Sequence, residues 1–242
     1  MLEAYGGQQG DEWTKIRIGR ITGSQLGKVA SYLTRASGSK KAGDSSAERD
    51  KYKRQTIAER LTGTATNNYV SESMKWGTNY EDEARVFYEG YTNSFVDRVN
   101  FVVHPDLPNF GSSPDGLIGK DGVLEIKCPE SVTHLQYLTE AILPVEYVPQ
   151  VVGEVMCTGR DFVDFVSYDP RFDDPAGRMF LVRTLRSELK WNDVRFGEIV
   201  GEQVIAFFED EVRKFEAEIQ EEIHRLKIKP IAPFPVRLKE ER

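Results

Sequence analysis

Asp115, in Gly111-Ser-Ser-Pro-Asp-Gly116, and the pair Glu125 and Lys127, in Val123-Leu-Glu-Ile-Lys-Cys128, are residue types spaced for metal-assisted phosphodiester cleavage. The Asp121-Gly122 dipeptide predicts a hairpin turn that opens a strand over 122–128, so Glu125 and Lys127 share one face while Leu124 and Ile126 pack the other. Two residues of strand rise set their Cα atoms ~7 Å apart. The Pro114-Asp115-Gly116 turn starts the other arm, which can bring the Asp115 carboxylate beside Glu125. Hard cations such as Mg2+ take such oxygen clusters. Lys127 adds a positive charge able to hold an attacking water or to offset charge developing on phosphorus. Glu-x-Lys on a half-exposed strand and Asp-Gly at a turn are each common. Their combination with Pro-Asp-Gly, and with a third acid upstream, points to a nuclease.

That third acid is Glu81. In Trp76-Gly-Thr-Asn-Tyr-Glu-Asp-Glu-Ala-Arg-Val-Phe-Tyr-Glu89, helical spacing puts Gly77, Tyr80, Glu81, Ala84 and Tyr88 on one face and turns Asp82 and Glu83 to solvent. A carboxylate on a packing face is costly unless paired or bound to a cation. An acid near a helix N-terminus, favoured by the dipole, accounts for Glu81 equally well from this segment alone.

The elements that must carry these residues are those of a mixed α/β chain. Its 242 residues, 39% hydrophobic, can bury a substantial core, and we expect a single domain over 1–242. Helices are expected over 24–32, 48–61, 77–90 and 132–141, and in a segment opened by Pro149 and ended at Gly159, whose Gln150, Gly153, Glu154 and Cys157 share a face. Strands are expected over 99–104, 112–118, 122–128, 161–168 and 178–184. Residues 35–47, rich in Ser, Gly, Lys and Ala, read as a mobile loop, 191–228 as a long amphipathic helical region, and 230–242 as an extended tail. Two cysteines, no basic-flanked apolar start and no stretch approaching ~20 apolar residues predict a cytoplasmic protein without disulfides or a membrane span. A net charge of −7 sits awkwardly with DNA binding, so contact with phosphates must come from local basic patches: Lys15, Arg17 and Arg20, and the run Lys40, Lys41, Arg49, Lys51, Lys53, Arg54.

In order along the chain, these blocks resemble the phage lambda-type exonucleases, the YqaJ-like viral recombinase and alkaline exonuclease family of the PD-(D/E)xK nuclease superfamily. The resemblance runs from Trp13 to Arg171 through Trp13-x3-Arg17-x-Gly19-x-Ile21-Thr-x-Ser24, Trp76-Gly77-x2-Tyr80-Glu81-x2-Ala84, Ser113-Pro-Asp-Gly116, Leu124-Glu-x-Lys-Cys-Pro129, Tyr147-x2-Gln150-Val151 and Tyr168-Asp-Pro-Arg171. Six ordered blocks are specific where a lone Glu-x-Lys is not. Two departures stand out: Gly23 replaces the usual alanine, and Val152 replaces a second glutamine.

The resemblance implies a restriction-endonuclease-like fold, with a mixed central sheet flanked by helices. It implies that Asp115, Glu125, Glu81 and the backbone carbonyl of Ile126 hold metal, that Lys127 and Gln150 are catalytic, and that Arg17, Ser24 and Ser113 receive a 5′-phosphate. Met74 would be an apolar wedge at the duplex fork. The implied activity is Mg2+-dependent 5′-to-3′ exonucleolysis of double-stranded DNA, with two ions per site and Mn2+ as a substitute, releasing 5′-mononucleotides and leaving a 3′ single strand. The implied partners are duplex ends with a 5′-phosphate, two further copies in a toroidal homotrimer, and a phage single-strand annealing protein in the bacterial host. Another nuclease of the superfamily, an endonuclease or junction resolvase, is the nearest alternative. A non-catalytic DNA-end binder is a second, and it would be expected to lack one of the acids or the lysine.

Overall fold

The computed structural model describes residues 11–66 and 71–233. Helices α1 (Asp11–Arg17) and α2 (Leu26–Val29) flank strand β1 (Ile21–Thr22) and a 3-10 turn over Gly23–Gln25. Then follow α3 (Ala47–Thr62), α4 (Glu72–Thr92), β2 (Val96–Asp97), β3 (Val102–Val103), β4 (Phe110–Ser112), β5 (Gly116–Ile118), β6 (Gly122–Lys127), α5 (Ser131–Glu140), α6 (Val148–Thr158) and β7 (Phe162–Tyr168). The chain continues through α7 (Pro175–Arg178), β8 (Met179–Leu185), β9 (Lys190–Asp193), β10 (Gly197–Val200) and α8 (Glu202–Leu226). The central sheet has the order β2-β5-β6-β7-β8, with β6 and β7 parallel and the other pairs antiparallel. This is the mixed sheet expected. A second sheet, β1-β4-β3, lies beside it.

Local chemistry explains the helices nearest the site. Helix α3 starts at Ser46, whose side chain accepts from Arg49 N, and ends at Gly63, whose φ of 64° allows the left-handed stop. Helix α6 begins with Pro149 in its first turn and ends at Gly159. Its Gly153 lets it lie on the Gly23–Gln25 turn, since a Cβ there would stand 2.9 Å from Gly23 Cα. Helix α4 buries Ala84 and Tyr88, and is tied to β7 by Tyr88 Oη donating to Asp164 Oδ2 at 2.5 Å and by Tyr168 Oη donating to Glu83 Oε1 at 2.7 Å. Glu83 and Asp82 are exposed as expected, Asp82 pairing with Arg85 and Arg98. Helix α8 lays the buried stripe Val204, Phe208, Val212, Phe215, Ile219 and Ile223 against the core.

The structure corrects several expectations. The strand expected over 112–118 is two: at Pro114 the chain leaves one sheet, because proline offers no ladder N–H, and re-enters the other at Gly116. The strand expected over 99–104 shrinks to Val102–Val103, and the first helix to a 3-10 turn plus four residues. Helix does not begin at Trp191: β9 and β10 form a hairpin first, and α8 starts after Gly201. The segment over 35–47 folds back on itself through the bridges Tyr32 with Ser45 and Ser37 with Lys40, and Lys40 Nζ donates to Ser45 O at 2.7 Å. Of the tail, Ile231 N and Ala232 N donate to Arg60 O, and 234–242 lie outside the described residues. Arg20 and Arg49 do not belong to a DNA-facing patch. Arg20 is buried and donates to Pro108 O, and Arg49 is buried in a bidentate pair with Glu218.

Candidate active site

Strand β6 is buried on both faces. Leu124 and Ile126 pack with Ala84 and Tyr88 of α4, and Glu125 lies opposite with no exposed surface. A fully buried carboxylate needs partners. Glu125 Oε1 has two: the Lys127 ammonium on the same face, and Gln150 Nε2 of α6 at 2.5 Å. Glu125 Oε2 is buried without a partner among the described residues. Asp115, at the start of the β5 arm, accepts from Ile126 N at 2.7 Å through Oδ2, while its own N–H donates to Leu124 O at 3.1 Å. The hairpin therefore locks Asp115 against Glu125 from both backbone directions.

Glu154, one turn after Gln150, is fully buried and accepts from Gln150 Nε2 at 3.3 Å, and its Oε2 also lacks a partner among the described residues. Sequence spacing put Glu154 on this face without giving it a role. Glu81, half-buried on α4, lines the same cleft as Asp115 and Glu125 and feels the Glu125 charge. Burial, then the Glu125 charge, pushes the carboxyls of Asp115 and Glu154 well above the ordinary range, and the same two causes raise Glu81. Burial alone would lower the Lys127 ammonium, but Glu125 and Asp115 outweigh it and hold the lysine above its ordinary value.

These observations test whether the donors fit a cation. No three acids among the described residues converge in ligand geometry: Glu125 Oε1 is turned to Lys127 and Gln150, and Asp115 Oδ2 to Ile126 N. The donor chemistry nonetheless fits a hard divalent ion, because several crowded carboxylates repel one another and a buried carboxylate oxygen has no donor.

The other end of the same cleft brings together Arg17, Ser24 and Ser113, the residues expected to receive a phosphate. Arg17 Nη1 and Trp13 Nε1 both donate to Ser113 Oγ, at 3.0 and 3.1 Å, and the Arg17 guanidinium stacks 4.2 Å above the Trp13 ring. Burial lowers Arg17 to about 10, so the cation persists at neutral pH. Ser24 is exposed at the rim, its Oγ 3.4 Å from Thr22 Oγ1. At Gly23, where the resemblance leads one to expect alanine, a Cβ would lie 2.2 Å from Ser112 Oγ and 2.9 Å from Ser112 Cβ. Arg17, Ser24, Ser113, Glu81, Asp115, Glu125, Ile126, Lys127 and Gln150 all line one cleft of about 760 Å³. The Met74 side chain lies outside the described residues.

Trp13, Tyr147 and Glu154 are the residues that sequence reasoning left without a role. The first two stood in the motif blocks, and nothing in one sequence marks them as a stacking lid on Arg17 and a wall 5.2 Å from Lys127 Nζ. The Tyr168-Asp-Pro-Arg171 block is scaffolding beside the cleft. Asp169 accepts from Arg171 and from Ser131 Oγ at 2.6 Å, and Arg171 reaches Pro129 O at 3.1 Å and stacks on Trp76, fixing the chain just after Lys127.

A mixed sheet presenting Asp115, Glu125 and Lys127 from one hairpin, with α4 and α6 adding acids and an amide, is the restriction-endonuclease-like arrangement of the phage exonucleases. Residues 12–161 match the model of the YqaJ-like viral recombinase domain, and the chain belongs to that family. It is similar to LHK-Exo in complex with dAMP, at 33% identity and TM-score 0.75 over 90% of this chain and 96% of that one. A second structure, the alkaline exonuclease LHK-Exo from Laribacter hongkongensis, matches at 33% identity and TM-score 0.74 over the same shares, 90% and 96%. A phage related exonuclease from Haemophilus somnus 129PT shares the fold at 11% identity and TM-score 0.58, over 86% of this chain and 96% of that one. No curated protein sequence matches the chain. The protein is thus a nuclease of viral recombination. Among the described residues no helix is long and apolar enough to cross a membrane.

Proposed function

We propose that the protein is a Mg2+-dependent exonuclease that digests one strand of duplex DNA from its 5′ end, releasing 5′-mononucleotides and leaving a 3′ overhang for strand annealing. One observation carries the reading: a phosphate clamp of Arg17, Ser24 and Ser113 and an acid–lysine centre at Asp115, Glu125 and Lys127 share a single cleft. A cleft of about 760 Å³ suits a mononucleotide-sized ligand. LHK-Exo, 33% identical, is in complex with dAMP, which supports a mononucleotide product here.

In this reading Glu81, Asp115, Glu125 and the Ile126 carbonyl hold two Mg2+ ions, for which Mn2+ can substitute. Bound there, the ions would lower the pKa of water and offset charge on the phosphate oxygens. Arg17 anchors the terminal 5′-phosphate through a charge-assisted contact, with Ser113 and Ser24 as hydroxyl partners. Lys127, kept protonated by its acid neighbours, donates to the attacking water or to a nonbridging phosphate oxygen. Gln150 aims its amide at Glu125 and sets the orientation of that carboxylate. As the water oxygen bonds to phosphorus the bond to the 3′ oxygen breaks, and the next nucleotide keeps its 5′-phosphate for the clamp once it advances.

A nuclease carrying −7 per chain gains by enclosing its track. A head-to-tail interface that closes gives a ring, and three chains would total 3 × −7 = −21. With Arg20 and Arg49 internal, Lys15 and the exposed cations of α3 remain to face a channel. A homotrimer, a phage annealing protein as partner and a cytoplasmic site of action complete the proposal.

Duplex labelled at either terminus and digested with and without Mg2+ tests it. Loss of the 5′ label as mononucleotide, only with metal and only from free ends, is expected. Cleavage of closed circular duplex would instead favour an endonuclease or resolvase. Light scattering tests the trimer, which a stable monomer that digests long DNA without dissociating would exclude.

A further inference from the structure

Helix α3 sorts its cations by face. Arg49 and Lys53 pair with Glu218, and Arg60 with Glu216, so these bind α3 to α8. Lys51 and Arg54 make no ion pair or side-chain hydrogen bond among the described residues, and neither does Lys28 of α2. All three are exposed and line one cavity of about 590 Å³, together with Tyr52, Gln55 and a single acid, Glu48. Glu48, Lys51, Tyr52 and Gln55 follow helical spacing, so the cavity wall is one face of α3. In a chain of net charge −7, three unpaired cations against one acid around a concavity form an anion site.

Its position relates it to the clamp. Tyr52 lines this cavity and its hydroxyl accepts from Thr22 N at 3.2 Å, while Thr22 Oγ1 is 3.4 Å from Ser24 Oγ. Lys28 stands one helical turn beyond Ser24. The cavity is separate from the cleft that holds the acids and adjoins it through the Thr22–Ser24 turn.

We propose that this cavity is a second phosphate-binding site, in which Lys28, Lys51 and Arg54 grip the DNA backbone next to the terminus held by the clamp. The site rests on the reading of the protein as an end-directed DNA nuclease. It supplies a fixed positive surface that the acid-rich catalytic cleft cannot, and it takes phosphates without reading sequence. Two backbone segments carry this chemistry, the complementary strand of the duplex and the nucleotides of a 5′ overhang.

The test is equilibrium binding of the full-length protein to a blunt duplex and to a duplex with a 5′ overhang, in EDTA, over a series of NaCl concentrations. Replacing all three cations (Lys28→Gln, Lys51→Gln, Arg54→Gln) should flatten the plot of log affinity against log salt by about 2.7 where the three contacts fall on duplex, at about 0.9 each, and by about 2.1 where they fall on a single-stranded overhang, at about 0.7 each. Flattening on both substrates assigns the complementary strand, and flattening on the overhang substrate alone assigns the 5′ extension. Glu48→Lys should steepen the same slope by about 0.9. A triple variant with the wild-type slope on both substrates overturns the site, as does a variant whose only change is its oligomeric state by light scattering, which would make the face a subunit contact. Failure of the underlying nuclease reading is recognised separately, because wild-type protein would then neither bind nor degrade duplex ends.

Discussion

Gln150 and Glu154 stand one turn apart on α6, and the Gln150 amide joins them, donating to Glu154 Oε1 at 3.3 Å and to Glu125 Oε1 at 2.5 Å. The buried acid behind the glutamine thereby fixes which way the amide points at the centre. Removing such a supporting contact costs on the order of 10- to 100-fold in activity or metal affinity. Glu154→Ala is therefore expected to lower kcat within that range and to raise the Mg2+ concentration needed for half-maximal rate, while KM for duplex stays near wild type. Glu154→Gln keeps an acceptor for Gln150 and should recover most of the loss. Steady-state rates over a Mg2+ series check both, and equal defects in the two variants would reduce Glu154 to a packing role.

The proposed clamp gives a prediction about the substrate. Arg17 is held by Ser113 and by stacking on Trp13, so its fork is already aimed before a phosphate arrives. Losing a charge-assisted hydrogen bond of about 1.5 to 3 kcal/mol corresponds to about 10- to 150-fold. Wild type should digest a 5′-phosphorylated duplex faster than the 5′-hydroxyl form, and Arg17→Ala should shrink that ratio by this factor. Arg17→Lys should not restore it, because an ammonium cannot both stack on Trp13 and present a planar fork. Trp13→Ala should fall between. Competition between the two duplexes in one tube measures the ratio directly.

Much of this site was legible from the chain. Strand period placed Glu125 and Lys127 on one face, helical period placed Glu81 with Ala84 and Tyr88, and Pro149 and Gly159 bounded α6. What failed was whatever depended on distant partners. Arg49 looked like part of a surface basic run, yet its partner Glu218 lies 169 residues away, and no local pattern discloses that. The apolar residues of the β9–β10 hairpin fit a helical stripe as readily as a strand, so only pairing between Trp191 and Ile199 separates the two. Pro114 did carry the signal for the break between β4 and β5, because proline offers no N–H to a ladder, yet the expected strand over 112–118 ran straight through it.

The same long-range pairs set stability. Arg60, 1% exposed, donates to both oxygens of Glu216 at 2.7 Å and through Nε to Gly19 O at 2.7 Å, while Gly19 N donates to Glu59 at 3.0 Å. Helix α3 thus holds both backbone groups of the residue that turns α1 toward β1. Glu216→Ala leaves a buried guanidinium with one backbone acceptor, and breaking a buried pair in this way costs about 3 to 5 kcal/mol. Urea unfolding should show a loss of that order. Glu221→Ala, on the exposed side of α8, should be within about 0.5 kcal/mol of wild type.

Finally, the acid cluster makes stability and metal depend on pH in opposite senses. Burial, then the Glu125 charge, raises the folded-state pKa of Asp115, Glu154 and Glu81 above the unfolded value of about 4. A raised folded pKa means the native state holds the proton more tightly, so this contribution is complete below about pH 4 and is lost as pH rises through the folded values. In EDTA, Asp115→Asn removes one member of the cluster and keeps an acceptor for Ile126 N. Its Tm should match wild type near pH 4 and exceed it toward neutral pH, by more than the roughly 2 °C that ~1 kcal/mol produces in a chain of this size. Mg2+ should reverse the order. It binds the deprotonated acids of wild type, so its stabilisation grows with pH, whereas the variant lacks a ligand and should gain little. Calorimetry of both proteins from pH 4 to 9, with EDTA and with Mg2+, measures the four curves. A wild-type Tm that is indifferent to Mg2+ throughout would remove these carboxylates as the metal site.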